Sequence, residues 1–271
     1  MLEKNNDFFC DAHFHYLPSV NQNAFALPQR WAGCSCAHSV EEWNAQVDFA
    51  EKNNSENQKM LCAFGLHPQS CSFPDSDELC RKNLYFLESL LQTQKIDAIG
   101  ECGFDFFTED YKLCAEFQEK IFISQIEFAA KYKKPVVIHC RKANEKLFEY
   151  SRELKKIPAV LFHSFMGMPS EAFSLLNKGI NGYFSFGKQI FNNNKKVIKC
   201  VKELPLDRLL FETDAPYQFL KGENQTNTFE IKKIYEGAWN LRFSENSKHP
   251  DFSFCDFSKQ IFENLISLFY E

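Results

Sequence analysis

The sequence predicts an α/β barrel of the (β/α)₈ type, and three observations carry that reading. Eight short apolar runs alternate with longer amphipathic segments along the chain, the pattern of strands each followed by a helix. The length of 271 residues suits the roughly 250 residues of one such barrel. Runs such as Pro135-Val136-Val137-Ile138 are apolar without alternation, as strands buried on both faces of a parallel sheet must be. An open doubly wound sheet would instead carry a glycine-rich phosphate loop after its first strand. Here the first run ends in Asp11-Ala12-His13-Phe14-His15. The expectation is one barrel domain over residues 1–271, since no repeat, low-complexity tract or linker divides the chain.

Taken in order, the predicted strands are Phe8–Tyr16, Trp31–Ala37, Met60–His67, Ala98–Asp105, Pro135–Cys140, Ala159–Phe165, Gly182–Gly187 and Leu209–Asp214. Helices are expected over Glu41–Asn53, Leu79–Gln92, Leu113–Tyr132, Ala143–Lys155 and Ser170–Asn177. Leu84, Leu87 and Leu91 recur at helical spacing, as do Leu113, Phe117 and Ile121. Leu17–Arg30 contains Pro18, Asn21, Gln22, Asn23 and Pro28 and reads as a loop. Thr228–Glu271 reads as two helices broken near Ser247–Pro250, closing the barrel wall.

Composition bounds the function. Hydrophobic content of 44% and charged content of 25% are those of a soluble globular protein, and 30 phenylalanines point to a large aromatic core. The net charge of −5 argues against coating long duplex DNA, where phosphate neutralisation supplies most of the affinity. Any nucleic-acid contact should be short and local. Met1–Asn6 lacks the apolar stretch of a signal peptide, and no run approaches a membrane span. The eleven scattered cysteines read as reduced thiols acting as small buried hydrophobes, which implies the cytoplasm.

Six potential metal ligands stand at or near the C-terminal ends of five predicted strands: His13, His15, Glu101, His139, His163 and Asp214. His13 and His15 are two apart and face the same side of their strand. Barrel enzymes build their sites on that face. Taken singly, each has a plainer reading. A histidine in an apolar strand is usually a hydrogen-bonded core residue, Asp214 before Ala215-Pro216 a turn residue, and Glu101 between glycines an ion-pair partner. Together they are harder to dismiss, because five of the seven histidines, His67 included, fall at strand ends. Crowding unpaired imidazoles and carboxylates into one mouth is costly unless a cation neutralises them. Mixed nitrogen and oxygen donors suit Zn²⁺, Mn²⁺, Fe²⁺ or Co²⁺, and the carboxylate-rich half suits Mg²⁺. Six ligands exceed what one catalytic zinc uses, so two metals bridged by one carboxylate fit better. Cys140 follows His139 and should face away from the site.

The motifs Asp11-Ala12-His13-Phe14-His15, Gly65-Leu66-His67-Pro68, Ile99-Gly100-Glu101-Cys102-Gly103-Phe104-Asp105, Val137-Ile138-His139-Cys140-Arg141, His163-Ser164-Phe165-Met166-Gly167 and Asp207-Arg208-Leu209-Leu210-Phe211-Glu212-Thr213-Asp214-Ala215-Pro216-Tyr217 resemble, in the correct order, those of the TatD family of metal-dependent deoxyribonucleases. The resemblance implies a cytosolic two-metal hydrolase cleaving DNA phosphodiester bonds, on short or single-stranded substrates. It also implies that His13, His15, Glu101 and Asp214 hold one metal. Glu101, His139 and His163 hold the other, so that Glu101 bridges the pair. In the implied reaction two divalent ions (Mg, Mn or Zn) clamp the attacking and leaving oxygens and acidify a water. Asp214 serves as general base, and His67 and Arg141 bind phosphate oxygens; the alternative for Arg141 is an ion pair with Glu212 or Asp105.

Four features depart from the family pattern: a short Leu17–Arg30 crossover, Lys142 where an acid is usual, Ser164 where cysteine is usual, and no Asn-Glu-Pro within Lys221–Thr228. The rival function is an amidohydrolase cleaving a C–N or ester bond on the same barrel. Such enzymes usually bridge their metals with a carboxylated lysine on strand four, and no lysine lies in Ala98–Phe106. A non-catalytic scaffold would be expected to have lost ligands, and none is missing. Nothing in the sequence points to a membrane or an obligate protein partner.

Overall fold

The computed structural model describes residues 8–17, 30–72, 75–243 and 252–270. Its strands are β1 (Phe8–Phe14), β2 (Arg30–Ala37), β3 (Gln58–Phe64), β4 (Ala98–Asp105), β5 (Val136–Arg141), β6 (Val160–Phe162), β7 (Gly182–Phe186) and β8 (Leu209–Phe211). They form one eight-stranded sheet in chain order, every neighbouring pair parallel. Between and after them lie α1 (Val40–Asn53), α2 (Ser76–Gln92), α3 (Glu109–Leu113), α4 (Ala115–Tyr132), α5 (Asn144–Glu149), α6 (Ser151–Leu154), α7 (Pro169–Asn177), α8 (Lys195–Glu203), α9 (Ile231–Phe243) and α10 (Phe254–Tyr270). The ring is a nearly closed barrel. No helix among the described residues is long and apolar enough to cross a membrane.

The seam between β8 and β1 shows how the closure is made. Low in the barrel, the Tyr235 hydroxyl of α9 accepts from Cys10 N and donates to Cys10 O, satisfying the strand edge with a side chain. One step higher, Asp11 accepts from Thr213 N and Oγ1. At the mouth the main chains join, through Asp214 N to His13 O at 3.0 Å and His15 N to Ala215 O at 2.7 Å. The seam thus sets the first two histidines beside the aspartate.

Two irregularities aim the site. Between Asp11 and Phe14, β1 spends one residue more than β2 spends between Gly33 and Ser35. Likewise β4 has one residue more between Ile99 and Cys102 than β5 between Val136 and Ile138. Such bulges bend a strand and redirect a side chain, and these two fall at His13 and Glu101. The flanking glycines are required there. Gly100 and Gly103 sit at φ +139° and +144°, where a Cβ would meet Val137 O at 2.5 Å and His139 O at 2.0 Å.

Some predicted boundaries shift. Strands β6 and β8 stop three residues short of the predicted Phe165 and Asp214, because Ser164 (φ 48°) and Asp214 (φ 51°) turn the chain out of the ladder. The predicted helix Leu113–Tyr132 divides at Cys114 and Ala143–Lys155 divides at Tyr150, each residue near φ −90° and ψ 15°. Apolar spacing runs through a one-residue break unchanged. Helix α8, rich in lysine and short, was not predicted; it buries Val197, Cys200 and Val201. The predicted Leu17–Arg30 loop falls almost wholly, and the Ser247–Pro250 break entirely, outside the described residues. All eleven cysteines are free, eight of them buried.

Candidate metal centre

The C-terminal mouth of the barrel gathers all six sequence-predicted ligands around Glu101. Its two carboxylate oxygens face different groups of imidazoles. Oε2 lies 3.3 Å from His13 Nε2 and 3.6 Å from His15 Nε2. Those two nitrogens are 3.2 Å apart, and Asp214 Oδ1 lies 3.4 and 3.5 Å from them. Oε1 lies 2.7 Å from His163 Nε2 and 2.5 Å from His139 Nδ1, themselves 3.3 Å apart. His67 Nε2 stands beside this second group, 3.4 Å from Oε1.

The donor set fits divalent cations. Around the first oxygen, neighbouring donors stand 3.2–3.6 Å apart, a spacing that nitrogen and oxygen atoms sharing one cation at bonds of about 2.0–2.2 Å adopt. Among the described residues no lysine or arginine pairs with Glu101, Asp214, Asp105 or Glu212; histidines do. Four buried carboxylates without a fixed cation are costly to keep, and the lone pairs aimed between them are what a metal uses.

Hydrogen bonds at the far ring nitrogens set the tautomers. His15 Nδ1–H donates to Cys36 O at 2.9 Å. His163 Nδ1–H donates to Glu212 Oε1 at 3.3 Å, and His139 Nε2–H to Asp105 Oδ2 at 3.2 Å. Each leaves its other nitrogen with a lone pair toward Glu101, the carboxylate- or carbonyl-backed arrangement of metal-binding histidines. His67 is the opposite case. Its Nδ1 accepts from Gln69 N at 3.2 Å, so Nε2 carries the proton. Burial, outweighing Glu101, lowers the His67 pKa to about 3 and keeps that ring neutral.

The profile of the family described as TatD related DNase matches residues 10–269. This chain belongs to that family. It is 34% identical over 161 residues to a protein described as the uncharacterized metal-dependent hydrolase YabD of Bacillus subtilis, covering 58% of this chain and 59% of that one. To the 3'-5' ssDNA/RNA exonuclease TatD of Edwardsiella piscicida it is 32% identical over 156 residues, 56% of each chain. Each match therefore spans less than two thirds of the relative. The crystal structure of YJJV, a TatD homologue from Escherichia coli K12, superposes with a TM-score of 0.75 at 24% identity over 97% of this chain and 98% of that one. It shows the shared fold.

Two departures from the TatD pattern, Ser164 and Lys142, can be placed in space. Ser164 accepts from Gln189 Nε2 and Gln218 Nε2, at 2.5 and 2.8 Å, and Gln218 Nε2 also reaches Asp214 Oδ2 at 2.7 Å. The hydroxyl therefore helps to seat a glutamine that steadies Asp214. Gln218 lies after β8 and ahead of Lys221, and no sequence signal marked it. Lys142 lies with its ammonium 4.6 Å from the Phe107 ring centre, and Arg141 stacks its guanidinium on the same ring at 3.4 Å. Arg141 makes neither of the ion pairs weighed for it. Asp105 is occupied by Gln69, His139 and Phe107 N, and Glu212 by Ser185, His163 and Gln218.

Protons and cations compete for these lone pairs. Burial works to lower the pKa of His13, His139 and His163, but the adjacent carboxylates, Glu101 foremost, raise all three, His163 to about 10. A ligating imidazole must be neutral. Metal uptake at neutral pH should therefore release protons, and affinity should fall as pH falls. Calorimetry of Zn²⁺ or Mn²⁺ binding in buffers of different ionisation enthalpy checks this. Equal apparent heats in every buffer would contradict it.

Proposed function

We propose that the protein is a metal-dependent phosphodiesterase that cleaves single-stranded or short DNA, with two divalent cations (Mg, Mn or Zn) held at the barrel mouth. The observation that carries the reading is Glu101, which presents one oxygen to the His13/His15/Asp214 group and the other to the His139/His163 group. Bound there, a cation pair supplies charge neutralisation to a phosphodiester and lowers the pKa of water. A carboxylated lysine, the usual bridge of the amidohydrolase alternative, has no counterpart in Ala98–Asp105.

The chain's own groups divide the remaining work. Asp214, its carboxylate held well below its ordinary pKa by His13 and His15 despite burial, stays ionised and accepts the proton of the attacking water. His67 offers its Nε2–H to a phosphate oxygen. Arg141 and Lys142 supply positive charge at the rim, where a locally basic contact is all that a chain of net charge −5 needs. The relative named above as a 3'-5' ssDNA/RNA exonuclease supports a single-stranded substrate.

The purified protein should cleave single-stranded DNA slowly with Mg²⁺ or Mn²⁺ and lose that activity in EDTA. If the fully metallated protein hydrolyses an amide or lactone and leaves nucleic acid untouched, the amidohydrolase reading replaces this one. Substituting His67→Ala or Arg141→Ala should raise KM about tenfold or more, the scale of a charge-assisted hydrogen bond worth about 1.5–3 kcal/mol. Turnover should fall too if the contact tightens in the transition state. Steady-state kinetics on a defined oligonucleotide measures both, and an unchanged KM in both variants removes these residues from the substrate site.

A further inference from the structure

A seventh donor stands in the mouth that the ligand pattern does not account for. His38 directly follows β2, the strand between those carrying His13/His15 and the loop of His67. Its main chain is held rigidly: His38 N donates to Glu42 Oε2 at 2.8 Å, and Ser39 caps α1 by accepting from Glu42 N at 3.2 Å. Its ring lies between two others, 5.1 Å from His15 and 5.2 Å from His67 by ring centres. Nδ1–H donates to Gly65 O at 3.3 Å. That contact assigns the lone pair to Nε2, which is buried without any hydrogen-bond partner and lies 3.6 Å from Glu101 Oε2.

A lone pair aimed at a carboxylate oxygen is repelled by it, and a buried nitrogen without a partner is costly to keep. A cation between the two reverses both effects. The neighbouring His67 shows the contrast, because Gln69 N on its Nδ1 makes its Nε2 a donor suited to phosphate and not to metal. Two imidazoles side by side thus present opposite hydrogen-bonding character to the same carboxylate.

We propose that His38 is a further ligand of the cation held by His13, His15, Glu101 and Asp214, giving this chain a five-donor first site. The proposal rests on the metal-site reading above. The first cation is then held more tightly than four donors hold it, and its open positions are reduced by one.

Cobalt(II) titration tests it, because the visible spectrum of Co²⁺ reports coordination number independently of any activity. Wild type, His38→Ala and the ring-preserving His38→Phe are titrated alongside one another, with circular dichroism of each protein as the folding check. The expected result is a loss of affinity for one Co²⁺ of at least about tenfold, the lower end of what even outer-shell losses produce. The spectrum should shift towards fewer donors in whichever of the two variants folds, the second Co²⁺ being unaffected. Folded variants that bind Co²⁺ with wild-type affinity and spectrum overturn the role of His38 and leave the proposed function standing. A wild type that takes up no Co²⁺ overturns the metal-site reading itself, and this proposal with it.

Discussion

Replacing Glu101 with alanine is expected to empty both cation positions at once and to lower turnover by more than about 10²-fold, beyond the range for loss of an outer-shell partner. The reason is the division of its two oxygens. Oε2 serves the group of His13 and His15, and Oε1 the group of His139 and His163. A neutral imidazole offers one lone pair and cannot link two cations. His139→Ala or His163→Ala should therefore empty only the second position and leave the His13/His15 position filled. Elemental analysis of the wild type and these three variants separates the cases. A wild type that saturates at one metal, with Glu101→Ala still binding it fully, removes the bridge.

Asp214→Asn should keep the fold and much of the affinity for phosphate while turnover falls by at least about 10²-fold, typical of a lost general base. The fold should survive for local reasons. Asp214 sits at φ 51°, a left-handed conformation that asparagine adopts as readily as aspartate. The amide oxygen can still accept from Gln218 Nε2, which now bonds Oδ2 at 2.7 Å. What is lost is the negative charge facing His13 and His15 at 3.4 and 3.5 Å. Single-turnover kinetics under saturating Mn²⁺, with metal content measured on the same samples, separates loss of the base from loss of the ligand. Near-normal turnover in the variant would show that another group activates the water.

The residues that could be read in advance are those whose position follows from a period. Strand parity placed His13 and His15 on one face, and the apolar runs located the eight strands, because burial on both faces leaves an unbroken signature in the chain. Gly100 and Gly103 flank Glu101 in sequence, and their positive φ values are the physical content of that spacing. What parity misses is any place where the ladder is broken. The bulges at His13 and Glu101, and the turns at Ser164 and Asp214, are set by contacts with neighbouring strands. Strand ends were accordingly overextended at β6 and β8, and also at β3, which stops at Phe64, three residues before the predicted His67.

The sequence by itself determined the barrel, the order of its donors and their crowding at strand ends, since these depend on residue type and spacing along one chain. Tertiary structure alone decided the rest, because a hydrogen bond between residues distant in sequence leaves no local trace. Gly65 O on His38 Nδ1 and Gln69 N on His67 Nδ1 assign the two rings opposite tautomers, although both are histidines just past a strand. The Phe107 ring, and not a carboxylate, takes the Arg141 guanidinium, because hydrogen bonds from other elements already occupy both candidate acids. Which oxygen of Glu101 faces which histidines is likewise set by how β1, β4, β5 and β6 converge, a property of the closed ring that no single strand contains.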